Sequence, residues 1–183
     1  MRQMAVAPVP LQVGDYVVRK YELSDAQALV DAVTDSYKHL EPWMPWIKFE
    51  PLSVIQREDL IARWNESWGQ RTDFVMGIFL AERLVGGTGL HLRGDEKTVE
   101  IGYWVHVDYI GRGIATQVSR ALTETAFALW EEIDTVEIHH DQANEASAAV
   151  PRRLNFDHVE TLNREPQAPS EVGVLMRWIK RRE

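Results

Sequence analysis

The chain has 183 residues, no cysteine and a formal net charge of −8 at pH 7. This length fits one domain with its own core, and the lack of cysteine excludes disulfides, thiolate metal sites and cysteine nucleophiles. The acidic balance argues against nucleic-acid binding, which requires a basic face. No apolar run reaches the roughly 18 residues of a membrane span, and the proline-broken N-terminus does not fit a secretory signal. We therefore expect a cytoplasmic protein whose partners include neither nucleic acid nor membrane.

The first third of the chain predicts one strand and two helices. Tyr16–Tyr21 is typical of a strand, and Ser24–Gln27 has the capping-box pattern that predicts a helix fading near residue 40. Three prolines within Glu41–Pro51 exclude a regular helix or a central strand there. A second helix is predicted at Ser53–Trp68.

The middle of the chain changes to strand periodicity. Phe74–Leu80 and Leu84–Leu92 are separated by three residues, which predicts a β-hairpin. A further strand is predicted at 99–107, with alternate residues on opposite faces of the sheet. One face carries Val99, Ile101, Tyr103, Val105 and Val107, and the other carries Glu100, Gly102, Trp104 and His106.

A Gly-X-Gly turn directly after this strand is the most informative pattern. Gly111-Arg112-Gly113 precedes an amphipathic helix, whose first N–H groups have no intrahelical partners and favour bound phosphate. The apolar stripe of that helix is Ile114, Val118, Leu122, Ala126 and Leu129. The chain lacks the third glycine of a dinucleotide fingerprint and the Gly-Lys pair of a Walker A loop. The turn therefore predicts a phosphorylated cofactor of another kind.

The last third predicts a strand, a short helix and two final strands. These elements are a strand at Thr135–Asp141, a helix at about 144–154, and strands at Phe156–Leu162 and Val172–Ile179. Asn155 suits the left-handed residue that ends a helix. The element order indicates a mixed α+β fold, with a single domain at 15–183 behind a lead-in at 1–14.

Four motifs occur in order along the chain. They are Ile101-Gly-Tyr-Trp-Val105, Tyr109-Ile-Gly-Arg-Gly-Ile-Ala115, Asn144-Glu-Ala-Ser147 and Leu154-Asn-Phe156. Together they resemble the GCN5-related N-acetyltransferases (GNAT), and Glu41-Pro-Trp-Met-Pro-Trp46 is most similar to the RimJ/RimL-like branch, which acetylates ribosomal-protein N-termini. The resemblance implies a mixed, mostly antiparallel sheet of six to seven strands flanked by about four helices.

The resemblance also implies a reaction and a cofactor. Acetyl-CoA would donate its acetyl group to a primary amine by direct attack in a ternary complex, without a metal. The expected acceptor is a protein or peptide N-terminus, and a small amine is the alternative acceptor. The alternative function is a non-catalytic regulator that binds CoA. A homodimer is compatible with the sequence.

The same resemblance places acetyl-CoA between the strand at 99–107 and the strand at 135–141, which splay apart in this family. Backbone groups of Val105 and Val107 would pair with pantetheine, and the amides of the turn would cradle the pyrophosphate. Arg112 would reach a phosphate or remain solvated. The implied cofactor-binding residues are Val105, His106, Val107, Gly111, Arg112, Gly113, Ile114, Ala115, Thr116, Asn144 and Ser147.

The catalytic residues are predicted with alternatives. Glu100 is the first choice for the general base, or else a surface ion-pair residue, and Asp73 is the second choice, or else a turn residue. Many relatives place the tyrosine that protonates the CoA thiolate where this chain has Pro151, and proline cannot donate a proton. Ser147 is therefore the remaining candidate for proton donor, and Asn144 binds pantetheine or caps its helix.

Several aromatic and histidine residues complete the predicted site. Trp43 and Trp46 line the acceptor pocket or pack their loop onto the core, and Tyr103 is expected to contact the substrate. His106 shares a face with Glu100 and either assists proton transfer or is a sheet-surface histidine. The adjacent His139 and His140 face opposite sides of a strand, so we expect no metal site there.

Overall fold

The computed structural model describes residues 10–93 and 96–183. Within these residues the chain forms one eight-stranded sheet with four α-helices. The helices are α1 (Ala26–Leu40), α2 (Val54–Gln70), α3 (Ile114–Leu129) and α4 (Glu145–Arg153). The strands are β1 (Leu11–Val13), β2 (Tyr16–Lys20), β3 (Asp73–Leu80), β4 (Arg83–Leu92), β5 (Thr98–Val105), β6 (Thr135–Asp141), β7 (Asp157–Asn163) and β8 (Val174–Arg181). None of the helices in the described ranges combines the length and the apolar character that crossing a bilayer would require.

The sheet opens in its middle. Its strand order is β1-β2-β3-β4-β5-β6-β8-β7, and every neighbouring pair is antiparallel except β5 and β6. Those two strands run parallel and pair only from Thr98↔Thr135 to Glu100↔Glu137. Beyond Glu100 and Glu137 no described residues of these two strands pair with each other, so a gap separates them.

Two apolar cores cover the two faces of the sheet. One packs α3 onto the sheet and includes Val99 and Ile101 of β5. The other packs α1 and α2 onto the opposite face, where Trp104 of β5 contacts it. Because side chains alternate along a strand, β5 presents neighbouring residues to opposite sides of the sheet.

Most predicted elements are confirmed, including the β3–β4 hairpin and the helix after the Gly-X-Gly turn. The strand count of six to seven is wrong, because β1 lies within the predicted lead-in and pairs with β2. A three-residue strand is too short to show alternation in the sequence. Residues 1–9 of that lead-in lie outside the described residues.

The start of α1 also differs from the capping box predicted at Ser24–Gln27. A 3₁₀ turn at Leu23–Asp25 precedes the helix. The Glu22 N–H donates to the Asp25 carboxylate at 2.8 Å, and Arg19 donates to both of its oxygens at 2.7 and 2.8 Å. A carboxylate can accept from an amide and a guanidinium together, so Asp25 fixes the helix start.

Candidate active site

A cavity of about 930 Å³ lies at the gap between β5 and β6. Trp46 and Trp104 line it on the side of α1 and α2, and Tyr103, Asn144 and Ser147 line it on the side of α3 and α4. Tyr103 and Trp104 are neighbours on one strand and face opposite ways. The cavity therefore reaches both faces of the sheet through the gap.

The backbone of β5 offers hydrogen-bonding groups to this gap. The His106 N–H donates to the Val85 carbonyl on β4 at 2.9 Å. Because peptide groups alternate in direction along a strand, those of Tyr103 and Val105 point away from β4, towards β6. The Val107 N–H, by contrast, donates to the Ser36 hydroxyl at 3.1 Å, so this predicted contact with pantetheine already has a partner in the protein.

The Gly-X-Gly turn leaves the first turn of α3 uncapped. Gly111 and Gly113 have φ angles of +74° and +73°, a left-handed region that favours glycine. Gly113 is the N-cap of α3 and has no side chain to accept from the first N–H groups of the helix. The first helical residues after it are Ile114, Ala115 and Thr116. A Cβ built on Gly111 meets no protein atom within 4 Å, so the space before the turn is open to a ligand.

Arg112 folds back onto the protein. Its guanidinium donates to the Asp108 carbonyl at 3.1 Å and lies 4.6 Å from the centre of the Tyr109 ring. Arg112 is exposed, as the solvated alternative predicted, but its guanidinium is held by these two contacts. A contact of Arg112 with a phosphate stays a prediction.

His106 has a different position from the predicted one. The strand was expected to continue to residue 107, but β5 ends at Val105 and a 3₁₀ turn begins. His106 is only 2 % exposed, and its Nδ1 accepts from the Asp108 N–H at 3.1 Å. His106 therefore supports the turn and is absent from the residues that line the described cavity.

Glu100 lies at the last position where β5 pairs with β6, and it lines the cavity. Its side chain is 22 % exposed, and the Arg93 Nε–H donates to it at 2.9 Å. The Nδ1 atom of His139 on β6 lies 3.7 Å from its other oxygen. Glu100 is thus a partly solvated carboxylate at the closed end of the gap, between one cation and one histidine.

Glu137 lies beside Glu100 on β6 but is more buried. Its carboxylate pairs with His139 Nε2 at 2.9 Å and with the Arg177 guanidinium. Burial alone would raise the pKa of Glu137, but the hydrogen bonds from His139 and Arg177 lower that pKa to about 2. Glu137 is therefore ionised and holds His139 towards Glu100.

We expect Glu137 to stabilise the protein less as the solution becomes acidic. Its folded pKa of about 2 lies below its ordinary value of 4.5, so its contribution is complete above pH 4.5 and is lost as pH falls towards 2. Urea unfolding at several pH values between 7 and 3 should show a smaller loss of unfolding free energy for Glu137→Gln than for the wild type. Glu160→Gln, which removes a more exposed partner of Arg177, is the control. Equal pH dependence in the wild type and Glu137→Gln would contradict this assignment.

Asp73 reaches the cavity only through His91. Its Oδ1 lies 2.6 Å from His91 Nδ1, and His91, not Asp73, is among the described residues that line the cavity. His91 is the cross-strand neighbour of Glu100, and its ring lies against Gly89, where a Cβ would come within 2.6 Å of its Nε2. His91 is therefore a functional candidate that the sequence analysis missed, and the glycine two residues before it is the signal that could have indicated it.

The loop before α2 forms the acceptor side of the cavity. Trp43 and Trp46 are half-buried and both line it, and the Trp46 ring contacts Trp104 at 6.3 Å between centroids. Glu50 and Arg57 pair at 2.6 Å beneath this loop, with side chains 6 % and 3 % exposed. Both predicted roles of the tryptophans, lining the pocket and packing the loop, are thus compatible with their positions.

Asn144 and Ser147 form the wall on the α4 side. Asn144 caps the helix, because its Oδ1 accepts from the Ser147 N–H at 3.0 Å. The Tyr103 hydroxyl lies 3.1 Å from both the Ser147 carbonyl oxygen and Ser147 Oγ. Burial raises the pKa of Tyr103 to about 12, although the hydrogen bond with Ser147 opposes the shift.

Asp141 holds this wall in place. Burial would raise the pKa of this carboxyl, but the four backbone N–H groups that donate to it keep the pKa below its usual value. The donors are Ala143, Val172, Gly173 and Val174, at 2.9 to 3.2 Å. Asp141 therefore joins the start of α4 to the start of β8.

Within residues 10–93 and 96–183 no cluster of three or more metal-ligating side chains occurs.

A family model described as the acetyltransferase (GNAT) domain matches residues 16–157. The chain belongs to the GNAT family. Its enzymatic class is therefore N-acetyltransferase, and acetyl-CoA is the acetyl donor of this family.

Similar proteins agree with this assignment. The "Putative ribosomal N-acetyltransferase YdaF" of Bacillus subtilis (strain 168) is 29 % identical over 140 residues, which cover 76 % of each chain. A crystal structure of a "Probable acetyltransferase" is 26 % identical with a TM-score of 0.86, covering 94 % of this chain and 96 % of that one. RimL, the ribosomal L7/L12 α-N-protein acetyltransferase in complex with coenzyme A, shares the fold with a TM-score of 0.85 at 19 % identity, over 97 % and 98 % of the chains.

One cavity of this GNAT chain is lined by six of the sixteen site residues predicted from its sequence. They are Glu100, Tyr103, Asn144, Ser147, Trp43 and Trp46. The sequence analysis missed His91, the placement of His139 next to Glu100, and the contact between Tyr103 and Ser147. The last contact joins residues 44 positions apart, and no local pattern encodes it.

Proposed function

We propose that the protein transfers the acetyl group of acetyl-CoA to the α-amino group of a peptide or protein N-terminus. The observation that carries this proposal is the cavity at the gap between β5 and β6, which both faces of the sheet line. The thioester can enter from the α3/α4 side and the amine from the α1/α2 side. The two reactants then meet at the gap, in the cavity that Glu100 of β5 and Ser147 of α4 both line.

Acetyl-CoA is assigned to the side of the Gly-X-Gly turn. The N–H groups from Gly111 to Thr116 bind its pyrophosphate, since the helix terminus and its dipole favour an anion. The peptide groups of Tyr103 and Val105 pair with the amides of the pantetheine arm. Asn144 offers its side-chain amide on the opposite wall.

The reaction is direct aminolysis of the thioester. Glu100 removes a proton from the α-ammonium group, directly or through a water, and the neutral amine then attacks the carbonyl carbon. The oxyanion is stabilised by strand N–H groups. Collapse of the intermediate breaks the C–S bond, the Ser147 hydroxyl donates a hydrogen bond to the departing thiolate, and the extra proton on the nitrogen passes to that thiolate through water.

An α-amine is the acceptor that this site suits best. Its pKa is about 7.7–8.0, against about 10.4 for lysine, so near pH 7 more of it is neutral and a modest base suffices. The half-buried Trp43 and Trp46 give the cavity an apolar wall for the first side chains of a peptide. The name of the Bacillus subtilis relative supports a protein acceptor.

Peptides that differ only at the N-terminus test this function. We expect acetylation of a peptide that carries both a free α-amine and a lysine, with the acetyl group on its N-terminal residue by fragment mass spectrometry. The same peptide with a formylated N-terminus is the control and should remain unmodified. Acetylation of lysine alone, or of small amines alone, would contradict the proposal. Acetyl-CoA binding without transfer to any amine would favour the regulatory alternative.

A further inference from the structure

Pro151 leaves one carbonyl of α4 without its helical donor. In an α-helix the N–H of residue i donates to the carbonyl of residue i−4, and proline has no N–H. Pro151 lies inside α4, so the carbonyl that lacks a donor is that of Ser147. This carbonyl belongs to the residue that faces the thioester in the proposed reaction.

Tyr103 supplies the missing donor from another element. Its hydroxyl, on β5, donates to the Ser147 carbonyl at 3.1 Å. The same phenol oxygen lies 3.1 Å from Ser147 Oγ. Because a carbonyl can only accept, the phenol hydrogen is directed to it, and the phenol oxygen can accept the hydrogen of the serine hydroxyl.

We propose that Tyr103 is a positioning residue for Ser147. The Tyr103 hydroxyl replaces the backbone donor absent at Pro151, and it orients the Ser147 hydroxyl towards the reacting thioester. This inference rests on the proposed function. In the resting protein the serine hydroxyl donates to Tyr103. When charge develops on the sulfur, the serine hydroxyl turns its hydrogen to the sulfur, and Tyr103 keeps its own proton throughout.

The surroundings of Tyr103 suit this role. The high pKa that burial gives Tyr103 keeps its phenol protonated at every pH at which the amine reacts. The Asn144 cap fixes the first turn of α4 from one side, through the Ser147 N–H. Tyr103 fixes the same residue through its carbonyl and hydroxyl, so Ser147 is held at three atoms.

Two mutant cycles test the proposal. The first compares Tyr103→Phe, Ser147→Ala and their double variant in kcat, in KM for both substrates and in acetyl-CoA affinity. The second measures urea unfolding and kcat for Tyr103→Phe with and without Pro151→Ala. The Pro151→Ala change restores an N–H at position 151. Tyr16→Phe, on β2 and outside the cavity lining, is the control for loss of a phenol hydroxyl.

We expect Tyr103→Phe to lower kcat about tenfold, the effect of one transition-state hydrogen bond, with KM for acetyl-CoA changed less than about threefold. Because Tyr103 acts through Ser147, the double variant with Ser147→Ala should be no slower than Ser147→Ala alone. Tyr103→Phe should also lower the urea midpoint, and by less when Pro151→Ala is present. The loss in kcat should persist in the variant that combines Tyr103→Phe with Pro151→Ala, because Ser147 Oγ still lacks the Tyr103 hydroxyl as a partner.

Three results would overturn the inference. In the first, the losses in kcat from Tyr103→Phe and Ser147→Ala multiply in the double variant. In the second, Pro151→Ala fully restores the kcat of Tyr103→Phe. In the third, Tyr103→Phe lowers the urea midpoint equally with Pro151 and with Pro151→Ala. Failure of the proposed function is a separate result. A wild-type protein that binds acetyl-CoA and acetylates no amine contradicts that function, while the unfolding cycle still decides whether Tyr103 replaces the missing donor.

Discussion

Replacing Gly111 by aspartate is expected to weaken acetyl-CoA binding by at least about 100-fold. Aspartate tolerates the left-handed φ of +74° at this position better than most residues, and a side chain there meets no protein atom within 4 Å. The fold should therefore be retained. A carboxylate a few ångströms from a pyrophosphate costs about 3–4 kcal/mol at the dielectric of a protein surface, which corresponds to a factor of a few hundred.

Gly111→Asn is the matched control for this change. Asparagine has nearly the same shape and the same tolerance of the left-handed region, but no charge. Calorimetric titration with acetyl-CoA should show that asparagine weakens binding by less than about tenfold, and thermal unfolding should show similar stability for both variants. Equal losses for the two variants would assign the effect to space alone. Wild-type affinity in Gly111→Asp would place the pyrophosphate elsewhere.

Glu100→Gln is expected to lower kcat/KM by about 100- to 1000-fold, the usual contribution of a general base. The variant keeps the shape of the side chain and one oxygen that can accept from Arg93. Since Glu100 lies on the amine side of the gap, the dissociation constant of acetyl-CoA should change less than about twofold. Single-turnover rates with a saturating peptide separate this chemical effect from binding.

The pH profile and a second variant decide between Glu100 and its neighbour. The difference between the wild type and Glu100→Gln should shrink between pH 7 and 9, because the free α-amine loses its own proton near pH 8. His91→Asn retains a donor towards Asp73 and removes the Nε2 that lies over Gly89. Near-normal turnover of Glu100→Gln together with a large loss in His91→Asn would reassign the base to His91.

The fold was predictable where periodicity extends over many residues. The alternation in β5 and the apolar stripe of α3 are long enough to identify both elements, and the Gly-Arg-Gly turn between them indicates a phosphate site. The three residues of β1 carry no readable period. The start of α1 was misplaced because the pattern at Ser24–Gln27 competes with Asp25, whose ion pair with Arg19 depends on β2.

The candidate site was predictable in its parts but not in its contacts. The prediction for His106 assumed that β5 continues, whereas the 3₁₀ turn after Val105 changes the direction of the chain. Asp73 was predicted as a general base or a turn residue, but the hairpin register gives it His91 as a partner. Pro151 was recognised as a departure from the family. The same residue could have predicted that Ser147 needs a donor from elsewhere, although only the fold identifies Tyr103 as that donor.

The short pairing of β5 with β6 gives the sheet an edge in its interior. In the proposed complex, the pantetheine amides replace water as partners of the peptide groups of Tyr103 and Val105. Such exchanges yield only about 0.5–1.5 kcal/mol for each hydrogen bond. In the proposed complex, strand-like pairing therefore sets the alignment of the thioester, and the anionic pyrophosphate at the Gly-X-Gly turn supplies more of the affinity. The proposed complex thus assigns affinity for the donor and precision at the reacting carbon to separate parts of the protein, so we expect substitutions to alter either one and leave the other intact.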